Sequence, residues 1–415
     1  MEIRRVVVTG LGTVNPLGNS IAEYWEGLKS GKSGAASITK FDASQYRTQF
    51  ACEVKGFNPG DYIEDRKEVR KMDLFTQYAM ASTAQAVEDA KLNLEKLDLT
   101  RCGVIWGTGI GGLETFQSEV LSLDVAKPRL SPFFIPKMII NIAGGLISMK
   151  YGFMGPSFST VTACASSNNA MIEALNYIRL GKADLFITGG AEAAVNPVGV
   201  GGFNAMHALS TRNDDPQTAS RPFDKDRDGF VIGEGGATLI LEEYEHALAR
   251  GAKIYGEVLG SGLSSDAYHM TAPHPDGIGV ELVINNALKD AGLKHEDIDY
   301  INVHGTSTGL GDVAESNAIK KVFGDHAYKL NISSTKSMTG HLLGGAGAVE
   351  AIATLLALKE GIVPPTINHF TDDEEIDNKL NFTFNKAQKR EMKYAISNTF
   401  GFGGHNSTVV FKRFE

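Results

Sequence analysis

The sequence predicts an α/β fold built from two halves with the same order of elements. Short runs rich in β-branched and apolar residues alternate with stretches of helical character, which is typical of strands connected by helices. Glycine accounts for 46 of the 415 residues and clusters directly after the apolar runs, where tight turns at strand ends are expected. One order of strands, helices and glycine turns occurs twice, which indicates an internal duplication.

The first half is predicted to span residues 1–250. A capping box, Ser20-Ile21-Ala22-Glu23, opens its first helix, and Asp73 precedes a longer amphipathic one. In chain order, we expect a strand at 6–9 ending in Gly10-Leu11-Gly12, helices at 21–31 and 74–91, strands at 102–106 and 158–162, a helix at 166–180 and a strand at 185–188.

The second half is predicted to span residues 251–415, after the charged stretch 242–250. Its helices are marked by apolar residues at helical spacing and its strands by glycines at their ends. In chain order, we expect a strand at 254–259, a helix at 280–291, strands at 300–303 and 331–334, a helix at 347–359 and a strand at 394–398.

Composition excludes several classes of protein. Lys and Arg total 40 against 49 Asp and Glu, a net charge of −9, which argues against a nucleic-acid-binding protein. No run of about 18 apolar residues exists that would cross a membrane, and the first apolar run is too short for a signal peptide. Three scattered cysteines fit neither a disulfide framework nor a zinc site. We therefore expect a cytoplasmic protein without metal, nucleic-acid or membrane partners.

Three segments resemble ligand-binding loops but depart from the patterns. The segment 27–33 is one residue short of a phosphate loop and ends a helix instead of opening one, so we expect a helix cap. The segment 224–235 opens like a calcium loop but has Gly235 where a bidentate Glu is needed. The glycines of 107–112 approach a dinucleotide-binding spacing, which alone is a weak signal.

Cys164 lies between a predicted strand and a predicted helix. A thiol there faces the positive end of the helix dipole and unpaired backbone N–H groups, and both favour the thiolate. Its small neighbours, Ala163, Ala165 and Ser166, leave room for a substrate. A nucleophile and a buried structural cysteine both remain compatible with this position.

Two histidines follow predicted strands of the second half. His304 comes just after the strand at 300–303, and His341 lies between the strand at 331–334 and the next helix. Ligands of α/β proteins gather at the carboxyl ends of strands, so both positions favour a functional role. No pair of His or Cys residues has the spacing of zinc ligands.

Several motifs in the same order resemble the β-ketoacyl-acyl carrier protein synthases, most closely the elongating type II class. The resemblance runs from Val6 to Phe411. Two positions depart from the common pattern, since Gly309 replaces Pro and Gly345 replaces Ala, and both put local loop rigidity in doubt. The matching segments are Thr162-Ala163-Cys164-Ala165-Ser166-Ser167, Arg221-Pro222-Phe223-Asp224 to Gly233-Glu234-Gly235, His304-Gly305-Thr306-Ser307-Thr308, Thr335-Lys336-Ser337-Met338-Thr339-Gly340-His341 and Asn398-Thr399-Phe400-Gly401-Phe402-Gly403-Gly404.

The resemblance implies a thiolase-like duplicated fold, layered α-β-α-β-α, and a decarboxylative Claisen condensation in fatty acid elongation. Cys164 would carry the acyl group, and its backbone N–H together with that of Phe402 would form the oxyanion hole. Neutral His304 and His341 would donate hydrogen bonds to the enolate. Lys336 would hold local charge and geometry through Glu350. No cofactor is implied, because phosphopantetheine arrives on the acyl carrier protein.

The resemblance also implies substrate contacts and partners. Thr306 and Thr308 would bind the pantetheine arm, and Phe400 and Phe402 would gate the acyl pocket. Ile110 and Phe203 would line the acyl pocket, and Phe134 would contribute to it across a homodimer interface. For all three residues, ordinary core packing remains the alternative. An acidic carrier protein would dock on a set of basic residues, Arg66, Lys67, Arg70, Lys71 and Arg212. The alternative is that these residues are ordinary solvent-exposed surface.

Other enzymes of this fold remain as alternatives. Degradative thiolases use a second catalytic cysteine and chain-initiating synthases use an asparagine, whereas this chain has His341 at the position that the elongating class uses. A ketosynthase of a polyketide or specialised-lipid pathway would share every catalytic residue. A non-catalytic chain-length-controlling partner would lack the nucleophile, and Cys164 is present.

Overall fold

The computed structural model describes residues 3–415, so Met1 and Glu2 of the predicted first half lie outside the described residues. Within these residues the chain forms fourteen strands and thirteen α-helices, joined by short 3₁₀ turns. The strands are β1 Val6–Val14, β2 Ala36–Ser37, β3 Phe50–Ala51, β4 Cys102–Gly107, β5 Ser157–Thr160, β6 Leu185–Glu192, β7 Gly235–Glu243, β8 Gly256–Ser265, β9 Tyr300–Asn302, β10 Asn331–Ser333, β11 Ile362–Val363, β12 Gln388–Lys389, β13 Tyr394–Gly401 and β14 His405–Arg413. The helices are α1 Ile21–Lys29, α2 Arg66–Arg70, α3 Leu74–Asp89, α4 Leu113–Leu121, α5 Phe134–Met138, α6 Ile142–Tyr151, α7 Ser166–Arg179, α8 Pro197–Ala205, α9 Tyr244–Ala249, α10 Ile278–Ala291, α11 Gly309–Phe323, α12 Lys336–Thr339 and α13 Ala346–Glu360.

The main sheet has ten strands and confirms the predicted duplication. Its order is β10-β9-β13-β14-β8-β1-β7-β6-β4-β5, which divides between β8 and β1 into two halves of five strands with identical connectivity. In each half, the first strand pairs antiparallel with the fifth, the fifth antiparallel with the fourth, and the remaining pairs are parallel. The two halves meet where Val7 and Val8 of β1 pair with Glu257 and Gly256 of β8.

Helices cover both faces of each half-sheet, which confirms the predicted layering. Along β4, Ile105 belongs to the central apolar cluster whereas Val104 and Trp106 belong to an outer one, so the strand is buried on both faces. Helices α7 and α13 form the central layer between the half-sheets. Helices α3 and α6 cover the outer face of the first half, and α10 and α11 cover that of the second.

The glycines that were expected to mark turns lie inside strands in three places, where this expectation was wrong. Gly10 and Gly12 are within β1, Gly189 and Gly190 are within β6, and Gly260 and Gly262 are within β8. A Cβ on Gly12 would lie 2.0 Å from the carbonyl oxygen of Ser82 in α3, and one on Gly262 would lie 2.2 Å from that of Val283 in α10. These glycines let an outer helix approach its strand, and they do so at equivalent positions of the two halves.

Sequence analysis also left several elements unassigned. Strands β7 and β14 complete the two half-sheets, and β7 ends in Glu242 and Glu243, which had been grouped with the charged stretch at the predicted boundary. The predicted boundary at residue 250 follows α9, between β7 and β8. In residues 3–415, no helix combines the length and apolar character needed to cross a membrane.

Candidate active site

Cys164 lies in a tight turn between β5 and α7. The turn is a 3₁₀ segment, Ala163–Ala165, in which Ala163 has a φ of +50°. The Ser166 hydroxyl holds the turn, because it accepts from the backbone N–H of Thr162 at 2.9 Å and donates to the carbonyl of Ala163 at 2.7 Å. The thiol is therefore presented at the start of α7, with only 8% of the residue exposed.

Burial outweighs the helix end at this thiol. Loss of hydration raises the pKa of Cys164 to about 12, while the charge of Lys336 and a hydrogen bond from the backbone N–H of Phe402 act in the opposite direction. The expectation that the position favours a thiolate was therefore wrong for the resting protein. The raised pKa favours the protonated thiol at physiological pH.

The Gly-Phe-Gly-Gly turn between β13 and β14 packs directly on the cysteine turn. A Cβ on Gly401 would lie 2.4 Å from the Thr162 carbonyl oxygen and 3.2 Å from the Cys164 backbone nitrogen. Gly403 and Gly404 have φ values of +88° and +75°, which complete the reversal. Glycine at these positions lets the N–H of Phe402 reach the sulfur, so that this donor lies next to the place where a bound thioester would react.

His304 and His341 face each other across the same space. Their ring centroids are 5.3 Å apart and the rings are nearly perpendicular, at 86°. Burial, followed by the charge of Lys336, lowers the pKa of both imidazoles well below their usual value. Both rings are therefore neutral at physiological pH, and the Nδ1 atom of each is buried without a hydrogen-bond partner among residues 3–415.

Lys336 and Glu350 form a buried ion pair behind the histidines. Both side chains are 2% exposed, and the ammonium group contacts Glu350 Oε1. Burial raises the pKa of Glu350 to about 7, while Lys336 opposes this shift. Neither residue lines the cavity, so their effect on the site is electrostatic and positional.

A cavity of about 530 Å³ joins most of the predicted site residues. Its lining includes Cys164, His304 and His341 together with all but one of the predicted substrate-binding residues. Those that line it are Ile110, Phe203, Thr306, Thr308, Phe400 and Phe402. Phe134 does not line it; it lies in α5 and stacks on Phe116 with ring centroids 6.4 Å apart.

The basic residues lie outside the cavity. Arg66, Lys67 and Arg70 are exposed on α2, and Lys71 pairs with Glu68 at 2.6 Å. Arg212 lies near the cavity, where it donates to the Asp226 carbonyl at 3.1 Å, two residues before the cavity-lining Asp228.

Two buried carboxylates that sequence analysis missed hold the loops of the site. Glu315 accepts the backbone N–H groups of His304 and Gly305 at 2.9 and 2.8 Å, and burial raises its pKa to about 7. Glu192, at the end of β6, accepts the N–H groups of Gly109, Gly111 and Gly344 at 2.8 to 3.1 Å. The glycine run 107–112 thus cradles a carboxylate of its own chain, which explains its likeness to an anion-binding loop. No sequence signal marked Glu315, which lies within α11, whereas Glu192 directly follows the apolar and glycine run of β6.

Three buried oxygens beside the ion pair have no hydrogen-bond partner in the described part of the chain. They are Asn302 Oδ1, Glu350 Oε2 and Ser397 Oγ. Asn302 and Ser397 are register neighbours on β9 and β13, and the Asn302 amide reaches the Glu350 carbonyl at 3.5 Å. Such oxygens could hold a water molecule or a monovalent cation. Among residues 3–415, no group of three or more His, Cys, Asp or Glu residues is arranged to bind a metal ion.

Known families match the chain over most of its length. The beta-ketoacyl synthase N-terminal domain matches residues 3–247, and the beta-ketoacyl synthase C-terminal domain matches residues 255–370. A relative from Synechocystis sp. described as 3-oxoacyl-[acyl-carrier-protein] synthase 2 is 51% identical over 416 residues, which cover 100% of this chain and 99% of the relative.

Solved structures of ketosynthases share the fold. A beta-ketoacyl synthase from Burkholderia phymatum superposes with a TM-score of 0.92 at 36% identity, covering 99% of this chain and 100% of that one. A ketosynthase of a type II polyketide synthase, solved in complex with its acyl-carrier protein and bound to a hexaketide, has a TM-score of 0.90 at 34% identity and covers 100% of both chains.

Proposed function

The chain belongs to the beta-ketoacyl synthase family, and on that basis we propose that it elongates fatty acids by decarboxylative Claisen condensation. An acyl group from acyl carrier protein is carried on Cys164 and condenses with malonyl-acyl carrier protein to give 3-oxoacyl-acyl carrier protein and CO₂. The observation that carries the proposal is the single cavity on which Cys164, His304, His341 and Phe402 converge.

In the first step, the acyl group moves from the carrier's pantetheine sulfur to Cys164. The cysteine sulfur attacks the thioester carbonyl, the backbone N–H groups of Cys164 and Phe402 stabilise the oxyanion, and pantetheine leaves as a thiol with the proton of Cys164. The N–H of Phe402 bonds the resting sulfur, which puts this donor beside the carbonyl that the sulfur attacks. Because burial raises the pKa of Cys164 to about 12, ionising the free thiol is costly, and its proton passes to the pantetheine sulfur as that group leaves.

In the second step, malonyl-acyl carrier protein occupies the same cavity. The C–C bond to its carboxylate breaks, CO₂ leaves, and the electron pair forms an enolate whose oxygen accepts hydrogen bonds from the two neutral imidazoles. The carbanion attacks the acyl carbonyl on Cys164, the carbon–sulfur bond breaks, and the cysteine regains a proton. A neutral imidazole suits this role because it can donate a hydrogen bond without giving up its proton.

Lys336 and Glu350 act as positioning residues in this scheme. Burial lowers the pKa of both histidines, and the Lys336 ammonium lowers it further. Glu350 holds that ammonium behind the histidines, so the pair helps to keep the imidazoles neutral without contacting the substrate.

The proposal includes a carrier-protein partner and no cofactor of the chain's own. Arg66, Lys67 and Arg70 present exposed positive charge on α2, Lys71 follows them, and Arg212 lies near the cavity, which suits an acidic carrier. The phosphopantetheine of that carrier would enter past Thr306 and Thr308, whose hydroxyls are 3.1 Å apart on the cavity lining.

A homodimer and a cytoplasmic location complete the proposal. Apolar side chains of the segment around α4 and α5 are unusually exposed, including Leu121 at 78% and Ile135 at 54%. Such a surface favours association with a second copy, to which Phe134 would contribute. The three free cysteines are compatible with a reducing compartment.

A polyketide or specialised-lipid ketosynthase is the second candidate, because solved polyketide ketosynthases share the fold. Sequence identity favours fatty acid elongation, since it is 51% to a 3-oxoacyl-[acyl-carrier-protein] synthase 2 and 34% to the polyketide enzyme.

Incubation with acyl- and malonyl-acyl carrier protein, followed by mass spectrometry of the products, tests the proposal. A single 3-oxoacyl product two carbons longer than the primer supports fatty acid elongation, and repeated extension without keto reduction supports the polyketide alternative. Cys164→Ala should give no product, whereas Cys102→Ser, at the start of β4 and off the cavity, should remain active. Product from Cys164→Ala would contradict the proposal.

A further inference from the structure

The loop after β9 carries four residues of the cavity on an irregular backbone path. His304, Gly305, Thr306 and Thr308 line the cavity, while Ser307 between the threonines has a φ of +68°. A positive φ at a serine persists only where neighbouring groups impose it. Here the Ser307 N–H donates to Asp312 Oδ1 at 3.2 Å, and its carbonyl accepts from the Gly229 N–H at 3.1 Å.

Arg227 holds the backbone that follows Ser307. Its side chain is 3% exposed and is absent from the cavity lining. Nε donates to the Thr308 carbonyl at 3.1 Å, and Nη2 donates to the Gly309 carbonyl at 2.9 Å. The guanidinium thus fixes the backbone directly after the two threonines.

Two further hydrogen bonds and an ion pair hold the same guanidinium in place. Nη1 donates to the Asp224 carbonyl at 2.7 Å and to Asp373 Oδ2 at 2.5 Å, and Nε lies 3.7 Å from Asp312 Oδ2. Three carbonyls and two carboxylates from four segments therefore converge on one planar group. Only arginine presents several donors in such a fixed fork, because a lysine ammonium is a single point of charge.

We propose that Arg227 is a positioning residue for the pantetheine arm. It holds the Thr306–Gly309 backbone so that the hydroxyls of Thr306 and Thr308 face the cavity. The inference rests on the proposed function, since it assumes a pantetheine thioester in this cavity. Arg227 touches neither substrate nor reacting atoms. Its effect should therefore appear only with substrates that carry the pantetheine amides.

Two thioesters of one acyl group separate this role from a general structural one. Acyl-pantetheine carries both amides, and the acyl thioester of ethanethiol carries neither. We expect Arg227→Lys to lower kcat/KM for transfer from acyl-pantetheine to Cys164 by about tenfold, mainly through KM, and to change the ethanethiol thioester less than about twofold. Thr306→Val should show the same selectivity, and the double variant should lose less than the product of the two effects.

A matched control and a second variant complete the test. The control is Arg250→Lys, which alters another partly buried arginine. Arg250 binds the Ala90 carbonyl and the Glu242 carboxylate, both far along the chain from the loop. This variant should leave kcat/KM unchanged for both thioesters. If Arg227→Lys does not fold, Asp373→Asn loosens the same guanidinium at its edge and should give a selective loss of about threefold.

The outcomes distinguish the two proposals. Equal loss with both thioesters, or no loss with either, would overturn the role of Arg227. If the wild-type protein used acyl-pantetheine no better than the ethanethiol thioester, the pantetheine site of the proposed function would itself be wrong, and the inference would be overturned with it.

Discussion

Lys336 is a buried cation near the reacting groups, and its charge acts on Cys164, His304 and His341. It lowers the pKa of both histidines and opposes the burial that raises the pKa of Cys164. A single ammonium thus favours neutral imidazoles and a more readily ionised sulfur at once. Both effects serve a site in which the sulfur is the nucleophile and the imidazoles only donate hydrogen bonds.

The neutral state of His304 and His341 predicts that the rate of malonyl decarboxylation depends little on pH. Because burial and Lys336 lower their pKa well below 6.5, the neutral donors persist as the pH falls through that value. We expect the rate of malonyl decarboxylation to change by less than about twofold between pH 8 and pH 6, at which an ordinary histidine with a pKa of about 6.5 would be mostly charged. An inflection near pH 6.5, measured by CO₂ release with carrier stability controlled, would show that the imidazoles are not held neutral.

Breaking the Lys336–Glu350 pair should move that profile. Lys336→Met alone leaves Glu350 buried and unpaired, which we expect to cost roughly 3–5 kcal/mol in the free energy of unfolding, measured with urea. Lys336→Met combined with Glu350→Gln removes both charges and should recover part of that stability. In the double variant the histidine pKa should rise, so decarboxylation should begin to fall at a higher pH than in the wild type. An unchanged profile would refute the electrostatic role of Lys336.

At the scale of elements, glycine placement brings together turns that are far apart in sequence. The β13–β14 turn reaches the cysteine turn only because Gly401 has no side chain. Gly401→Ala would force these turns apart and displace the Phe402 N–H, so we expect acylation of Cys164 to slow by about 10²-fold, the effect of losing one oxyanion donor. Gly145→Ala, inside α6 with nothing within 4 Å of the added methyl, is the control and should retain full activity. Single-turnover acylation measures both variants, and a normal rate for Gly401→Ala would contradict the assigned oxyanion hole.

The same glycines show what sequence could and could not predict. Alternating strand and helix signals predicted the α/β class, the duplication and the positions of Cys164, His304 and His341 at element ends. Glycines after apolar runs suggested turns, but in β1 and β8 they serve helix contact, which depends on residues dozens of positions away. Likewise, Glu192 and Glu315 become recognisable as anchors only when the loops they bind are placed beside them.

At the scale of the whole molecule, the cavity draws on both halves of the duplicated fold. Cys164 comes from the first half, and His304, His341 and Phe402 come from the second. Neither half alone contains the proposed chemistry. The sequence motifs predicted these four residues. The volume of the cavity, and the finding that Phe134, Lys336 and Glu350 do not line it, could be obtained only from the folded structure.

Docking of the acyl carrier protein on the basic residues of α2 predicts that the rate of acyl transfer depends on their charge. Reversing Arg66, Lys67 and Arg70 to Glu should lower kcat/KM for acyl-acyl carrier protein by at least about tenfold at low salt, with the difference shrinking as salt screens the charges. Acyl-pantetheine, which lacks the acidic carrier, should be used equally by the variant and the wild type. Lys389→Glu, on β12 and off the cavity, is the control. Loss of activity with both substrates would argue against docking by these residues.

A pulse–chase experiment on the full-length protein tests the central claim, that one cavity couples acyl transfer to condensation. The protein would be acylated with acyl-acyl carrier protein, freed of excess donor and then mixed with malonyl-acyl carrier protein, with intact-protein and peptide mass spectrometry at each stage. We expect the acyl mass on the Cys164 peptide before the chase, and its loss in step with the appearance of 3-oxoacyl product and CO₂. Product that forms while the Cys164 adduct persists, or product without an adduct, would contradict the account.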